Sequence, residues 1–172
     1  MLLSLTVALV PPVARPRSHV VCSGAAYDYC VQALGCTAEE ATKVEGRLIP
    51  SSAKSLTRAQ AEERLGWLQS ELGLSDSELK KVVLTFPALL GCSVEDNMEL
   101  KLNWLETRLD LDAEQLRKIV LLLPAVLSYS VQDNMAPKFD WLQTRLDLDE
   151  EELKKMVVAF PAVLNYSVEG NM

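Results

Sequence analysis

The stretch LDLDAEQLRKIVLLLPAVLSYSVQDNM, Leu109 to Met135, returns almost letter for letter as LDLDEEELKKMVVAFPAVLNYSVEGNM, Leu146 to Met172. It appears once more, further diverged, as ELGLSDSELKKVVLTFPALLGCSVEDNM from Glu71 to Met98. Working outward, Trp67, Trp104 and Trp141 fall 37 residues apart, as do Pro50, Pro87, Pro124 and Pro161, and Asn97, Asn134 and Asn171. Self-similarity at a fixed period of this length is the mark of a repeat architecture, so one unit has to be read and the rest follow.

Each unit opens with a capping pair. Ser75, Asp112 and Asp149 stand three residues before Glu78, Gln115 and Glu152, the spacing at which two side chains satisfy each other's backbone amides at a helix start. Behind the cap, Leu79, Val82, Val83 and Phe86 fall at i, i+3, i+4 and i+7, which is one buried helical face. Leu116, Ile119, Val120 and Leu123 repeat it, then Leu153, Met156, Val157 and Phe160. Pro87, Pro124 and Pro161 lack an amide hydrogen and clash with the preceding turn, so each first helix should end or kink there, and a short 3₁₀ turn is expected after them. A second helix follows Ser93 or Ser130, with Met98, Leu102, Leu105 and Leu109 as its stripe and Pro137 tolerated in a first turn. Gly73, Asp110 and Asp147 sit at the exits, where a left-handed residue is favoured.

Two helices and a proline break cannot bury their apolar faces alone, so the predicted fold is an all-α solenoid of stacked units. The expected organisation is a leader over 1–27 and an array over 28–172. Its approximate units are a degenerate 34–70, then 71–107, 108–144 and an incomplete 145–172. Within 34–70, Thr37 and Glu40 supply the cap, Ala41, Val44 and Leu48 the stripe, and Pro50 the breaker. An array stopping at Asn171 and Met172 leaves its last face without a capping unit, which implies a fragmentary product or a protein partner at that end.

These features resemble the repeat of the mTERF (mitochondrial transcription termination factor) family, most recognisably in FPALLGCSVEDN, LPAVLSYSVQDN and FPAVLNYSVEGN. The resemblance covers roughly 34–172. It implies curved stacks of triangular three-helix units that bind double-stranded DNA, or RNA in some members, and act in organellar transcription, its termination, or RNA and ribosome maturation. Few units and an excess of acid set this chain apart from that pattern.

The net charge is −7, and since the first 27 residues hold Arg15 and Arg17 and no acid, the remainder carries −9. Such a body does not bind phosphate indiscriminately. Placement matters more than sum, because the screening length near physiological salt is about 8 Å. Many acids sit at first-helix starts, among them Asp76, Glu78, Asp112, Glu114 and Asp149 to Glu152, where the helix dipole explains them without a metal. The candidate nucleic-acid contacts are the cations of the second helices. Lys101, Trp104 and Arg108 share a helix flank, Lys138, Trp141 and Arg145 repeat it, and Arg64 with Trp67 begins it. The tryptophans Trp67, Trp104 and Trp141 are expected to pack between units with the basic stems over them, leaving two roles open for the cationic heads: phosphate contact or solvation. Of Lys80-Lys81, Arg117-Lys118 and Lys154-Lys155, one member of each pair should flank the core and the other face outward.

Catalysis finds little support. The only histidine is His19 in the leader, and Cys22, Cys30, Cys36 and Cys92 match no zinc spacing or dense disulfide framework, so they read as free thiols. No phosphate loop, nucleophile elbow or HExxH motif occurs. No enzyme activity, cofactor or metal is expected. The acid-free, arginine-containing leader suits import into a mitochondrion or chloroplast, with secretory and cytoplasmic destinations as alternatives. No segment has the roughly 20 apolar residues of a membrane span. The partners expected are organellar double-stranded DNA or RNA, and the alternative is an acidic scaffold that binds protein.

Overall fold

The computed structural model describes residues 24–48 and 56–166. The expected leader, Pro50 and Asn171 thus fall outside the described residues, apart from the leader's last four positions. Those residues form an all-α solenoid with eight α-helices: α1 (Ala25–Gln32), α2 (Ala38–Arg47), α3 (Arg58–Leu72), α4 (Asp76–Thr85), α5 (Leu100–Leu109), α6 (Ala113–Leu122), α7 (Ala136–Leu146) and α8 (Glu150–Ala159).

The starts follow the caps. Thr37, Ser75, Asp112 and Asp149 each accept the amide hydrogen of the residue three positions on, while that residue's side chain accepts theirs, which is a complete capping box at α2, α4, α6 and α8. Thr57 and Gln60 make a fifth box at α3, which the sequence reading did not include. The stops follow the prolines. After α4, α6 and α8 come 3₁₀ turns over Pro87–Gly91, Pro124–Ser128 and Pro161–Asn165. The exits of α3, α5 and α7 are left-handed at Gly73 (φ 59°), Asp110 (φ 48°) and Asp147 (φ 53°). Behind them Leu74, Leu111 and Leu148 return amide hydrogens to Gln69, Glu106 and Gln143 at 2.9–3.0 Å.

Two features were not anticipated. The second helices open with π-turns, Val94–Glu99 and Val131–Met135, in which Met98 and Met135 donate to the carbonyls of Ser93 and Ser130. The wider turn places both methionines fully inside, with no exposed area. A short helix, α1, precedes the repeats and packs on α2 and α3. It has no side-chain cap, so no local signal announced it.

Packing runs along the array: α2, α4, α6 and α8 contact one another in succession, and the first two 3₁₀ turns also touch. The predicted stripes form the core, including Leu79, Val82, Val83, Leu116, Ile119, Val120, Leu153 and Val157. Phe160 departs from its expected place. Its counterpart Leu123 is 6% exposed, whereas Phe160, on the last described unit, is 54% exposed because no described element covers it.

Candidate nucleic-acid interface

The second helices place their basic residues one repeat apart, and the structure assigns these residues to different tasks. Arg64 on α3 donates to the carbonyl of Leu90, Lys101 on α5 to that of Leu127 at 2.8 Å, and Lys138 on α7 to that of Leu164. Each bond joins a second helix to the penultimate residue of the 3₁₀ turn that follows α4, α6 or α8, always 26 residues downstream. The physical reason lies in the turn. A short helical segment leaves its last carbonyls without intrahelical partners, and a buried carbonyl needs a donor. Lys101 also donates to Asn97 Oδ1. Lys138 instead lies over the Tyr129 ring, 5.5 Å from its centre, and the buried Oδ1 of Asn134 has no partner. Burial pushes the pKa of both lysines down. Thus three of the five candidate contacts point their charge into the protein, with Lys138 only 8% exposed.

Arg108 is partly covered and spans to the next unit, 2.5 Å from Glu150 Oε2 and 2.8 Å from Gln143 Oε1. Glu150 is held below the usual carboxylate range, first by that hydrogen bond from Arg108. Arg145, the counterpart of Arg108, is exposed and makes no ion pair with a described residue. The tryptophans are half-buried against the core, and Trp104 stacks on Phe139 of the following unit with ring centres 5.4 Å apart at 21°.

In the first helices the two members of each basic pair divide. Lys80, Arg117 and Lys154 reach back to the preceding unit. Lys80 meets Glu40 at 3.0 Å and the Gly35 carbonyl at 3.0 Å, Arg117 meets both Glu78 oxygens at 2.7 Å, and Lys154 donates to the Asp110 carbonyl. Glu78 is held down at about 2, chiefly by the Ser75 hydroxyl and next by Arg117. The neighbours Lys81, Lys118 and Lys155 are exposed, one per unit on helices packed side by side. Lys81 and Lys118 line one shallow groove of about 360 Å³ together with Glu78, Glu114, Arg117, Leu121 and Leu122. Sequence periodicity marked the pairs, but only the direction of the helix separates tie from outward charge.

Comparison with known proteins bears on this geometry. The mTERF family model matches residues 33–172. The chain belongs to the mTERF family. No curated protein matches it. Proteins of the mTERF family are generally nucleic-acid-binding regulators of organellar gene expression, found in mitochondria or chloroplasts, and are not typically enzymes. Among the described residues no helix is long and apolar enough to cross a membrane.

Proposed function

We propose that this mTERF protein binds double-stranded DNA in a mitochondrion or chloroplast and takes part in regulating or terminating transcription there, without turnover or cofactor. The observation that supports this reading is the outward row Lys81, Lys118 and Lys155. Packed helices lie about 8–10 Å apart, so three ammonium groups span roughly 16–20 Å. That is a regular cationic edge on an otherwise acidic body. Arg145, exposed at an α7 terminus, and the partly covered Arg108 are the second-helix candidates that keep a place in the proposal. Arg64, Lys101 and Lys138 do not, since their charges are engaged inside. Lys155 has Glu151 at 3.9 Å, so the row is partly neutralised and affinity is moderate.

Titration of organellar duplex DNA and single-stranded RNA across salt concentrations tests the reading. Three to four phosphate contacts give a log-log slope of about −3 to −4 on duplex DNA. Charge reversal of Lys81, Lys118 and Lys155 together removes that slope while the helical circular dichroism stays unchanged. A flat salt response in the unaltered protein overturns the proposal, and salt-dependent binding to RNA alone replaces DNA with an RNA-maturation role.

One observation favours a second reading, a protein-binding scaffold. Leu146, Phe160 and Tyr166 are 50%, 54% and 66% exposed in the last described unit. A protein bound at this face would protect amides of α7 and α8 from hydrogen exchange; unchanged exchange with organelle extract would count against it.

A further inference from the structure

We propose that Cys30 and Cys36 are a modification site: under a low-molecular-weight disulfide such as glutathione disulfide they close into an intramolecular disulfide that staples the end of α1 to the entry of α2. Cys30 lies in the last turn of α1 with no exposed area, and Cys36 is 6% exposed immediately before Thr37, which caps α2. Between them Gly35, at φ 59°, turns the chain back. The turn lets the Cys36 amide donate to the Cys30 carbonyl at 2.9 Å, and each thiol lies near enough to the other to act on its titration. A direct backbone bond holds the two Cα atoms roughly within the ~4.4–6.8 Å that a disulfide needs. Closure therefore asks for side-chain rotation and little movement of either helix.

The two sulfurs are not equivalent. Burial pushes the Cys30 thiol up to about 12, with the neighbouring Cys36 adding to the effect. Cys36 is also raised by burial, but the Lys80 ammonium acts against that rise. Lys80 is fixed beside it by the Gly35 carbonyl and Glu40. Cys36 is thus the attacking group. It gives up its proton, and the thiolate attacks one sulfur of glutathione disulfide, breaking that S–S bond and releasing one glutathione thiolate, which takes up a proton. Cys30 then gives up its proton, its thiolate attacks the Cys36 sulfur of the mixed disulfide, and the second glutathione leaves as a thiolate that takes up a proton. Two protein thiols are oxidised by two electrons, and one glutathione disulfide is reduced to two thiols. The buried, high-pKa partner makes the second step slow and the closed form persistent.

The test uses the full chain with Cys22→Ser, so that the tryptic peptide spanning 18–43 carries only this pair. After incubation with glutathione disulfide, denaturation and maleimide treatment, the expected peptide is lighter than the reduced one by two hydrogen atoms. It takes no maleimide, and dithiothreitol restores both reactive thiols. Adding Cys30→Ser should halt the reaction at a glutathione adduct on Cys36. Two maleimides on the peptide after incubation, or a stable glutathione adduct with Cys30 intact, would overturn the proposal. Cys92, whose thiol lies 3.7 Å from the Ala88 carbonyl, serves as the internal comparison and should remain alkylatable.

Discussion

Lys101 donates across the unit boundary to the carbonyl of Leu127 at 2.8 Å, closing the end of a 3₁₀ turn that belongs to the next repeat. A charge on a helix flank is spent inside the protein, and its nearest acceptor is a backbone oxygen. Replacing Lys101 with Met keeps much of the stem and removes the donor, leaving the Leu127 carbonyl and Asn97 Oδ1 without it. The expected loss is about 1–3 kcal/mol, read from the urea midpoint. Lys101→Arg should recover most of it, since Arg64 makes the same tie one unit earlier. Equal stability of the Met and Lys forms would show that the tie contributes nothing.

The tryptophan ladder gives a second prediction. Trp104 is half-buried and stacked on Phe139, so Trp104→Ala removes an inter-unit contact but leaves less of a void than loss of a fully enclosed ring. A cost of about 2–3 kcal/mol is expected, below the 3–5 kcal/mol typical of buried aromatic deletions. Chemical denaturation measures it, and a change within error would place the ring in solvent.

Acid should act through Glu78. Its folded pKa, about 2, lies below the ordinary carboxylate value of 4.5, so the native state favours the ionised form. The stability it contributes is fully present above pH 4.5 and is lost as the pH falls through about 2. Denaturation midpoints of the parent chain should decline across that window more steeply than those of Glu78→Gln, which cannot ionise. Parallel curves would assign acid sensitivity to other carboxylates.

Backbone handedness supplies a fourth. Asp147 holds a left-handed conformation at φ 53° that a β-branched residue resists. Asp147→Val should destabilise the chain by about 1–2 kcal/mol, whereas Asp147→Gly should not. Thermal melts of the two variants separate these outcomes.

The fold was legible because each unit states its own rules in local letters. Ser75, Asp112 and Asp149 start helices through bonds within four residues, and Pro87, Pro124 and Pro161 stop them by steric exclusion. The cationic site was legible only in part. Periodicity placed Lys101 and Lys138 on a shared flank, but their partners are backbone carbonyls, which have no residue signature. One signal was available: Leu90, Leu127 and Leu164 each sit near the end of a short turn whose carbonyls need donors, 26 residues beyond a cation. The division between Arg117 and Lys118 needed the packing direction of α6 against α4.

The four-residue capping boxes and the 26-residue ties together define a connector with a male and a female end. Lys101 or Lys138 projects forward, and the turn behind the next proline receives it, using backbone that every side-chain substitution leaves in place. This part of the coupling reads no side chain of the next unit, unlike the Trp104–Phe139 stack and the Arg117–Glu78 pair, so copying one 37-residue segment carries this joint along with it.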